Sequence, residues 1–280
     1  MRDMDFTIDS FSFYKHFGKH WYKPANPVDI RWYCEKCLSL GAGGLHIDPY
    51  HIDIETEMEW VSRFAKGHRM YIELGACGTS YDELSPYIQN AGKYGIKTLR
   101  TFVGGSCLDE RSIIRERTMA AKRGLKESLE LAEKYDVRIA VENHGDLFID
   151  DLISLLEIDS EYLGICFDSG NFAFTGEDPL DALAAFRGRI FCTHLKDACH
   201  VGKGSGDNPF MTVAEPIHFC PLGEGFIPVD KVIRQLVSDG LDRFTIEMCI
   251  PVVEGLAEEQ QLSSEENAVC RSIDYIRKFI

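Results

Sequence analysis

The chain has 280 residues, of which 45% are hydrophobic, and it carries a formal net charge of −15 at pH 7. This length exceeds that of a typical single domain but lies within the range in which α/β barrels form one domain. The acidic charge disfavours nucleic acid and anionic membrane surfaces as partners, because both bind basic patches. A small neutral or weakly charged substrate is compatible with this composition.

The chain has ten cysteines, and a secreted protein with so many would be expected to form disulfides. Its first residues, MRDMDFTIDSF, lack the charged segment and apolar run of a signal peptide. Cys166, Cys192 and Cys249 fall in apolar runs, where a free thiol behaves as a small buried hydrophobe. We therefore expect a reducing, cytoplasmic location. No apolar stretch approaches the roughly 18 residues that span a bilayer, so a soluble protein is expected.

Short apolar strands alternate with helical patterns along the chain. The predicted strands begin near Phe6, Gly44, Met70, Ile96, Val137, Leu163, Ile190 and Phe244. The predicted helices cover residues 28–40, 56–66, 81–94, 109–135, 148–157, 179–186, 229–239 and 264–279. This alternation predicts a parallel sheet with right-handed crossovers, and eight units favour closure into a (β/α)₈ TIM barrel over an open, doubly wound sheet.

We expect one domain over residues 1–280, because no linker, charge block or low-complexity segment divides the chain. The spacing is unusual only after the seventh strand, where residues 197–228 form a long loop that contains several glycines. Loops at the carboxyl ends of barrel strands build the active site. A loop of this length is therefore expected to act as a lid or as part of the site.

Four residues of the kind that bind metals follow apolar strands at or just beyond their carboxyl ends. They are Glu142, Asp168, His194 and Glu247, on the fifth to eighth predicted strands. In a parallel barrel all four side chains reach the same mouth. Three carboxylates brought together there repel each other by about 4 kcal/mol per pair at roughly 4 Å and an effective dielectric near 20, and a divalent cation relieves this repulsion. The pattern predicts a metal site, with unrelated caps and ion pairs as the alternative.

Oxygen ligands with one imidazole favour Mn²⁺, Mg²⁺ or Co²⁺, with Zn²⁺ or Fe²⁺ as alternatives. Such a mixed set can leave coordination positions for water or substrate. A metal of this kind polarises a carbonyl and stabilises an enediolate, while Glu142 and Glu247 can remove and return a proton on opposite faces of a carbon. The predicted chemistry is proton abstraction next to a carbonyl.

The motifs VENHGD, FDSGN, THLKD, PLGEGFIP and TIEM, in this order and over nearly the whole chain, resemble those of the xylose isomerase-like TIM-barrel superfamily of sugar isomerases and epimerases. The resemblance implies that Glu142, Asp168, His194 and Glu247 bind one divalent metal and that the two glutamates are the acid–base pair. It also implies a homo-oligomer, either a dimer or a tetramer. The DNA-cleaving members of the superfamily have a histidine where this chain has Asn171, which disfavours that activity.

Five further residues are predicted to contact a substrate: His46, His144, Asn171, Lys196 and His218. For His46 the alternative is that it only satisfies local backbone groups. For His144 plain loop packing is an equal alternative, and for Lys196 the equal alternative is a salt bridge at the base of the loop. Four other residues have structural interpretations. Arg100 is expected to pair with Glu73 or Glu142, since an arginine inside a buried strand requires a partner. His51 is expected at the surface, Asp197 to orient His194 or its neighbours, and Glu224 to fix the loop through backbone hydrogen bonds.

The leading hypothesis is a metal-dependent isomerase or epimerase that acts on a ketose, a hydroxy-ketone or a related sugar derivative, with an unphosphorylated substrate favoured. An alternative is a dehydratase or lyase that acts on a keto-sugar or keto-cyclitol, as inosose and dehydroshikimate dehydratases do. Both begin with the same proton abstraction, and the motifs do not decide which bond breaks next. A third hypothesis is a barrel that binds a sugar without catalysis.

Overall fold

In the computed structural model, which describes residues 4–201 and 209–280, strands and helices alternate along the chain. The strands in these residues are β1 (Asp5–Ile8), β2 (Gly44–Ile47), β3 (Tyr71–Gly75), β4 (Thr98–Thr101), β5 (Arg138–Glu142), β6 (Leu163–Asp168), β7 (Ile190–Leu195), β8 (Asp197–His200), β9 (Ile217–Cys220) and β10 (Arg243–Ile246). All except β8 and β9 belong to one parallel sheet. This confirms the predicted eight-stranded barrel.

The strands of the barrel follow the order β1-β10-β7-β6-β5-β4-β3-β2. Its two end strands meet at a seam, where Asp9 forms a parallel bridge with His46 and the Gly43 N–H donates to the Phe6 carbonyl at 3.0 Å. The Tyr33 hydroxyl also lies at this seam, 2.8 Å from the His46 carbonyl. These contacts close the sheet, so that the carboxyl ends of all eight strands surround one mouth.

Helices surround the barrel and follow its strands. They are α1 (Tyr14–Phe17), α2 (Ile30–Ser39), α3 (Met58–His68), α4 (Tyr81–Tyr94), α5 (Arg111–Tyr135), α6 (Ile149–Leu156), α7 (Phe172–Thr175), α8 (Pro179–Ala185), α9 (Val229–Ser238) and α10 (Glu258–Ile276), with a 3₁₀ helix over Ser10–Phe13. The eight predicted helices are confirmed, most of them within two residues at each end, whereas α10 begins six residues before the predicted start. None of the helices in the described residues is long and apolar enough to cross a membrane.

Local sequence explains where several helices begin and which face they bury. The Ser80 hydroxyl accepts from the Glu83 N–H while the Glu83 carboxylate accepts from the Ser80 N–H, which forms a capping box at the start of α4. Along α5, side chains spaced three or four residues apart are buried against the barrel, among them Ile114, Ala121 and Leu125. This burial fixes the face that the helix turns toward the sheet.

The segment predicted as a long loop contains an antiparallel hairpin, in which β8 pairs with β9. Residues 202–208, which contain three of the glycines of this segment, lie outside the described residues. Asp197 was expected to orient His194 or its neighbours, but its carboxylate instead accepts from the backbone N–H groups of Gly223 and Gly225, both at 2.9 Å, and of Ile227 at 3.1 Å. Glu224, which was expected to fix the loop through backbone bonds, pairs through its side chain with Arg271. Asp197 therefore ties the hairpin to the chain that follows it.

Candidate metal centre and active site

The four predicted ligands converge at the mouth of the barrel. Glu142 and Asp168 end β5 and β6, His194 lies in β7, and Glu247 follows β10 directly. All four are buried, and one ligand atom of each lies within 4.8 Å of the corresponding atoms of the others. His194 Nδ1 lies 3.5 Å from Glu142 Oε1, 3.9 Å from Asp168 Oδ2 and 2.5 Å from Glu247 Oε2. The parallel register, which aligns Asp168 with His194, produces this convergence.

Three of the converging atoms suit a cation. His194 Nδ1, Asp168 Oδ2 and Glu247 Oε2 are buried, and none has a hydrogen-bond partner of good geometry. Buried polar atoms in native proteins are nearly always satisfied, so an atom left over requires an explanation. One imidazole nitrogen and carboxylate oxygens at these separations are a donor set for a hard or borderline divalent cation. The residues therefore fit a single metal ion.

The protein fixes the orientation of Asp168 through its neighbours. The backbone N–H groups of Gly170 and Asn171 donate to Asp168 Oδ1 at 2.8 and 3.0 Å, which leaves Oδ2 directed at the cluster. The Asn143 side-chain amide bonds both the N–H and the carbonyl of Asp168, each at 2.9 Å. The residues around Glu142 and Asp168 thus hold the end of β5 against the end of β6.

Two cations lie against the carboxylates. Arg100 donates to Glu142 Oε2, so of its two expected partners it pairs with Glu142. Asn171 Nδ2 donates to the other oxygen of Glu142 at 3.0 Å. Lys196 Nζ lies 2.9 Å from Asp168 Oδ2 and 2.7 Å from Glu247 Oε1. These contacts partly balance the three buried negative charges.

These neighbours set the protonation of the ligands. Burial raises the pKa of Glu142, but Arg100 and His194 outweigh this effect and hold that pKa well below its usual range. Burial also raises the pKa of Glu247, and Lys196 and His194 bring it below its usual range. For Asp168, burial and the neighbouring carboxylates raise the pKa to about 7, although Lys196 opposes them. Both glutamates are therefore ionised at neutral pH, which is the form that binds a cation.

A cavity of ≈ 270 Å³ opens beside the cluster. Its aromatic wall consists of Phe11, Trp21, Tyr50, Phe102, Phe174, Phe210 and Phe219. Its other lining residues are His20, Asp48, Arg100, His144, Asn171, Lys196, Glu247 and Cys249. Aromatic faces with a few convergent polar groups are typical of a site for a small polar molecule.

The structure places three of the five predicted substrate contacts, His144, Asn171 and Lys196, in the cavity wall. The His144 ring stacks on Phe102 with ring centroids 4.2 Å apart. His46 and His218 are not among the lining residues in the part of the chain that is described. His46 lies inside the barrel beneath His194, and His218 lies in β9 with both ring nitrogens buried.

Sequence reasoning missed part of the wall. His20 and Trp21 follow α1, and Asp48 follows β2, which is the strand-end position that identified the metal ligands. Burial and the Asp9 carboxylate raise the pKa of Asp48 to about 7, so this group can exchange a proton near neutral pH.

His51, expected at the surface, is 4% exposed and stacks on Phe17 with ring centroids 3.9 Å apart. The surface prediction for His51 was therefore wrong.

These observations define the class of this protein. It is a (β/α)₈ barrel with a buried cluster of carboxylates and one imidazole at the carboxyl ends of its strands. Residues 76–278 match the model of one family within this class, described as xylose isomerase-like TIM barrel. The chain belongs to this family. The resemblance inferred from the strand-end motifs is thereby confirmed.

Individual relatives include enzymes of different reaction types. The 3-oxo-isoapionate decarboxylase of Pectobacterium atrosepticum is 25% identical over 191 residues, which are 66% of this chain and 67% of that protein. A crystal structure of the IolI protein with a bound zinc atom superposes with a TM-score of 0.73 at 17% identity over 99% of each chain. A D-psicose 3-epimerase crystallised in the presence of D-fructose gives 0.68 at 12% identity, also over 99% of each. At such identities the two solved structures show the fold alone.

Proposed function

We propose that this protein is a divalent-metal-dependent isomerase or epimerase that acts on a ketose or hydroxy-ketone. The observation that carries the proposal is the convergence beside the cavity of His194 Nδ1, Asp168 Oδ2 and Glu247 Oε2, which are buried and have no hydrogen-bond partner of good geometry. The 3-oxo acid in the name of the related decarboxylase supports a substrate that carries a carbonyl group. Cytoplasmic location and assembly as a dimer or tetramer stay predictions.

Glu142, Asp168, His194 and Glu247 would hold the metal, with Mn²⁺, Mg²⁺ and Co²⁺ as first candidates; the zinc in IolI keeps Zn²⁺ among the alternatives. When bound, the metal supplies positive charge that stabilises the negative charge developing on a carbonyl oxygen. Of the four ligands, Glu247 lines the cavity among the described residues, so it is the side chain best placed to move a proton. Glu142, between Arg100 and Asn171, would be its counterpart on the other face.

Three polar side chains in the wall are proposed substrate contacts. Lys196 and Asn171 lie beside the ligands, where they can donate hydrogen bonds to substrate oxygens. His144 presents its ring to the cavity against Phe102. His46 and His218 do not line the cavity that the described residues form, so the proposal does not extend to them.

The first test is Glu247→Gln, which keeps the shape of the side chain but removes its charge and its ability to carry a proton. We expect at least a 100-fold loss of hydrogen–deuterium exchange at the carbon next to the carbonyl, since general acid–base catalysis contributes about 10² to 10⁴ in rate. The measurement is NMR in heavy water with a panel of keto-sugars. Glu254→Gln, the same change at an exposed position, is the matched control and should exchange at the wild-type rate. Wild-type exchange by the Glu247 variant would contradict the assignment.

A lyase is the second candidate, and a specific observation favours it. Arg100 and Lys196 place two cations in the cavity wall, where a substrate carboxylate can bind, and one of the relatives is named as a decarboxylase. Deuterium uptake without loss of mass indicates isomerisation or epimerisation. Release of carbon dioxide, or an enone absorbance in the ultraviolet after loss of water, indicates a lyase. Tight sugar binding without exchange at any carbon would instead indicate a barrel that binds without catalysis.

A further inference from the structure

A line of buried side chains continues from the metal centre into the interior of the barrel. His194 Nε2, on the side of the ring away from the ligand cluster, lies 3.1 Å from His46 Nε2. The other nitrogen of His46, Nδ1, lies 3.0 Å from Glu73 Oε2. The three residues come from β7, β2 and β3, and their side chains are at most 7% exposed. The two imidazole rings are nearly perpendicular, at 82°, so each presents an edge to its neighbour.

Glu73 is itself fixed in place by hydroxyl groups. The Thr245 hydroxyl donates to Glu73 Oε2 at 3.0 Å, and the Thr7 hydroxyl donates to Thr245 at 2.7 Å. Both threonines are buried. Because Thr245 gives its only proton to the carboxylate and accepts one from Thr7, the direction of each hydrogen bond in this line is determined.

The same rule fixes the protons on both histidines. An ionised carboxylate only accepts hydrogen bonds, so Glu73 requires a proton on His46 Nδ1. A neutral His46 then has a lone pair on Nε2, which accepts a proton carried by His194 Nε2. Nδ1 of a neutral His194 is consequently a lone pair directed at the carboxylates. This is the tautomer that binds a metal through Nδ1.

A second carboxylate lies beside the same two nitrogens. Asp9 Oδ2 lies 3.4 Å from His46 Nε2 and 3.6 Å from His194 Nε2. Its negative charge stabilises a proton held between these two nitrogens. Since Asp9 can accept from either nitrogen, the direction of the His46–His194 hydrogen bond is set by the proton that Glu73 requires on His46 Nδ1.

We infer that Glu73 and His46 are positioning residues, which hold His194 in the tautomer and ring orientation that bind a metal through Nδ1. This inference rests on the metal centre of the proposed function. Residues that fix a ligating histidine from behind typically change metal affinity by about 10- to 100-fold when they are replaced. Glu73 and His46 touch neither the cavity nor the ligand atoms of the cluster, so their effect passes through His194.

The test is metal binding by purified protein that has been treated with a chelator. For Glu73→Gln we expect the Kd for Mn²⁺, measured by titration calorimetry, to rise by about 10- to 100-fold, because a neutral amide can donate as well as accept and no longer fixes the proton on His46. Thr245→Val is a milder variant of similar shape, in case Glu73→Gln folds poorly. It removes the hydroxyl that fixes the Glu73 carboxylate, and we expect a several-fold rise in Kd.

The chain offers a matched control in a second buried histidine–glutamate pair. His16 Nδ1 lies 2.8 Å from Glu265 Oε2, and none of the contacts described for this pair includes a proposed metal ligand. Glu265→Gln should lower the melting temperature of the metal-free protein while its Kd for Mn²⁺ stays within about twofold of wild type. A loss of affinity in this control equal to that of Glu73→Gln would show that general destabilisation explains the result, and the inference would fail.

Histidine ¹⁵N NMR of the Zn²⁺-loaded protein gives a readout that does not depend on affinity. We expect the proton of His194 on Nε2 in the wild type and a changed ¹⁵N pattern in Glu73→Gln. If the wild type binds Mn²⁺ and Glu73→Gln has the same Kd and the same tautomer, the positioning role is wrong while the metal centre stands. If the wild type binds none of the five candidate metals, the proposed function fails first and the inference falls with it.

Discussion

At the scale of single residues, charge balance in the mouth of the barrel differs from what strand-end carboxylates alone suggest. Arg100 and Lys196 contact Glu142, Asp168 and Glu247, so mutual repulsion of three acids is partly offset before any metal binds. The three buried ligand atoms without a hydrogen-bond partner of good geometry therefore indicate a cation more strongly than repulsion between the carboxylates does. Two positive groups also make the cavity suitable for a substrate with oxygen-rich or acidic ends.

The buried carboxyl group of Asp48 predicts a pH effect on stability. Burial, with Asp9 as the next contribution, raises its pKa from an ordinary value near 4 to about 7. Below about pH 4 the group is protonated in folded and unfolded chains alike, and its contribution to stability is fully present. As pH rises to about 7 the unfolded chain releases the proton while the folded protein keeps it, so that contribution is lost.

Asp48→Asn is neutral at every pH and does not suffer this loss. We therefore compare the free energy of unfolding of the variant with that of wild type at two pH values. The difference, variant minus wild type, should increase by a few kcal/mol from about pH 4.5 to pH 8. The measurement is urea denaturation of chelator-treated protein at both values. The same substitution at exposed Asp159 should give a difference that does not change with pH. A pH-independent difference for Asp48→Asn would contradict the raised pKa.

The residues of the site were predictable to unequal degrees. Glu142, Asp168 and Glu247 stand at the ends of apolar strands, and an acid in that position is visible in the sequence. Asp48 stands at the same position of β2 but has no family motif around it. His20 and Trp21 lie between α1 and α2, where no periodic pattern indicates that the chain turns back over the mouth. Contacts between distant segments decide such positions, and a single sequence does not contain that information.

At the scale of elements, the packing of α5 against the start of α4 depends on one glycine. A Cβ atom at Gly124 would overlap the Thr79 carbonyl oxygen and would lie 2.8 Å from Ser80 Cα. Both of these are backbone atoms, which cannot rotate away as the end of a flexible side chain can. Gly124 therefore permits a close approach of the two segments.

The pair Gly124→Ala and Gly67→Ala tests this packing. Alanine in a helix is normally favoured over glycine by about 0.5 to 1 kcal/mol. We expect this gain in stability at Gly67 in α3, because a Cβ atom added there meets no atom within 4 Å among the described residues. At Gly124 the overlap should reverse the sign, with a loss of about 1 to 3 kcal/mol. Chemical denaturation measures both free energies of unfolding. Stabilisation by both variants would show that α4 and α5 can separate without cost.

Elements were predictable where their periodicity was long enough to detect. The barrel strands appear as apolar runs because both of their faces are buried, and α5 shows its buried stripe over many turns. The helices α1 and α7 have four residues each, too few for a period to be visible. The first turn of α10, with the sequence EEQQ, is entirely polar, which explains why its start was placed too late. The hairpin of β8 and β9 is fixed by Asp197 and by tertiary contacts that no local pattern indicates.

At the scale of the whole molecule, eight strand–helix units determined the topology. Counting these units predicted the barrel, because parallel strands with right-handed crossovers have few other ways to bury both faces of the sheet. The particular bridge that joins Asp9 to His46 at the seam between β1 and β2 was not predictable. It nevertheless brings His46 behind His194. Closure of the sheet and construction of the metal centre are thus linked through the same residue.

Since the metal would bind the folded barrel through strands that are distant in sequence, it should stabilise the whole molecule. A ligand present at 100 times its Kd adds about 2.7 kcal/mol to the free energy of unfolding. For a chain of this size, that corresponds to a rise in Tm of roughly 5 to 10 °C. The measurement is thermal unfolding of chelator-treated protein with and without Mn²⁺, Mg²⁺, Co²⁺, Zn²⁺ or Fe²⁺. Asp168→Asn, which lacks one ligand charge, should show little or no rise. An equal rise in that variant would place the ion elsewhere, and no rise in the wild type with any of the five ions would contradict the proposed centre.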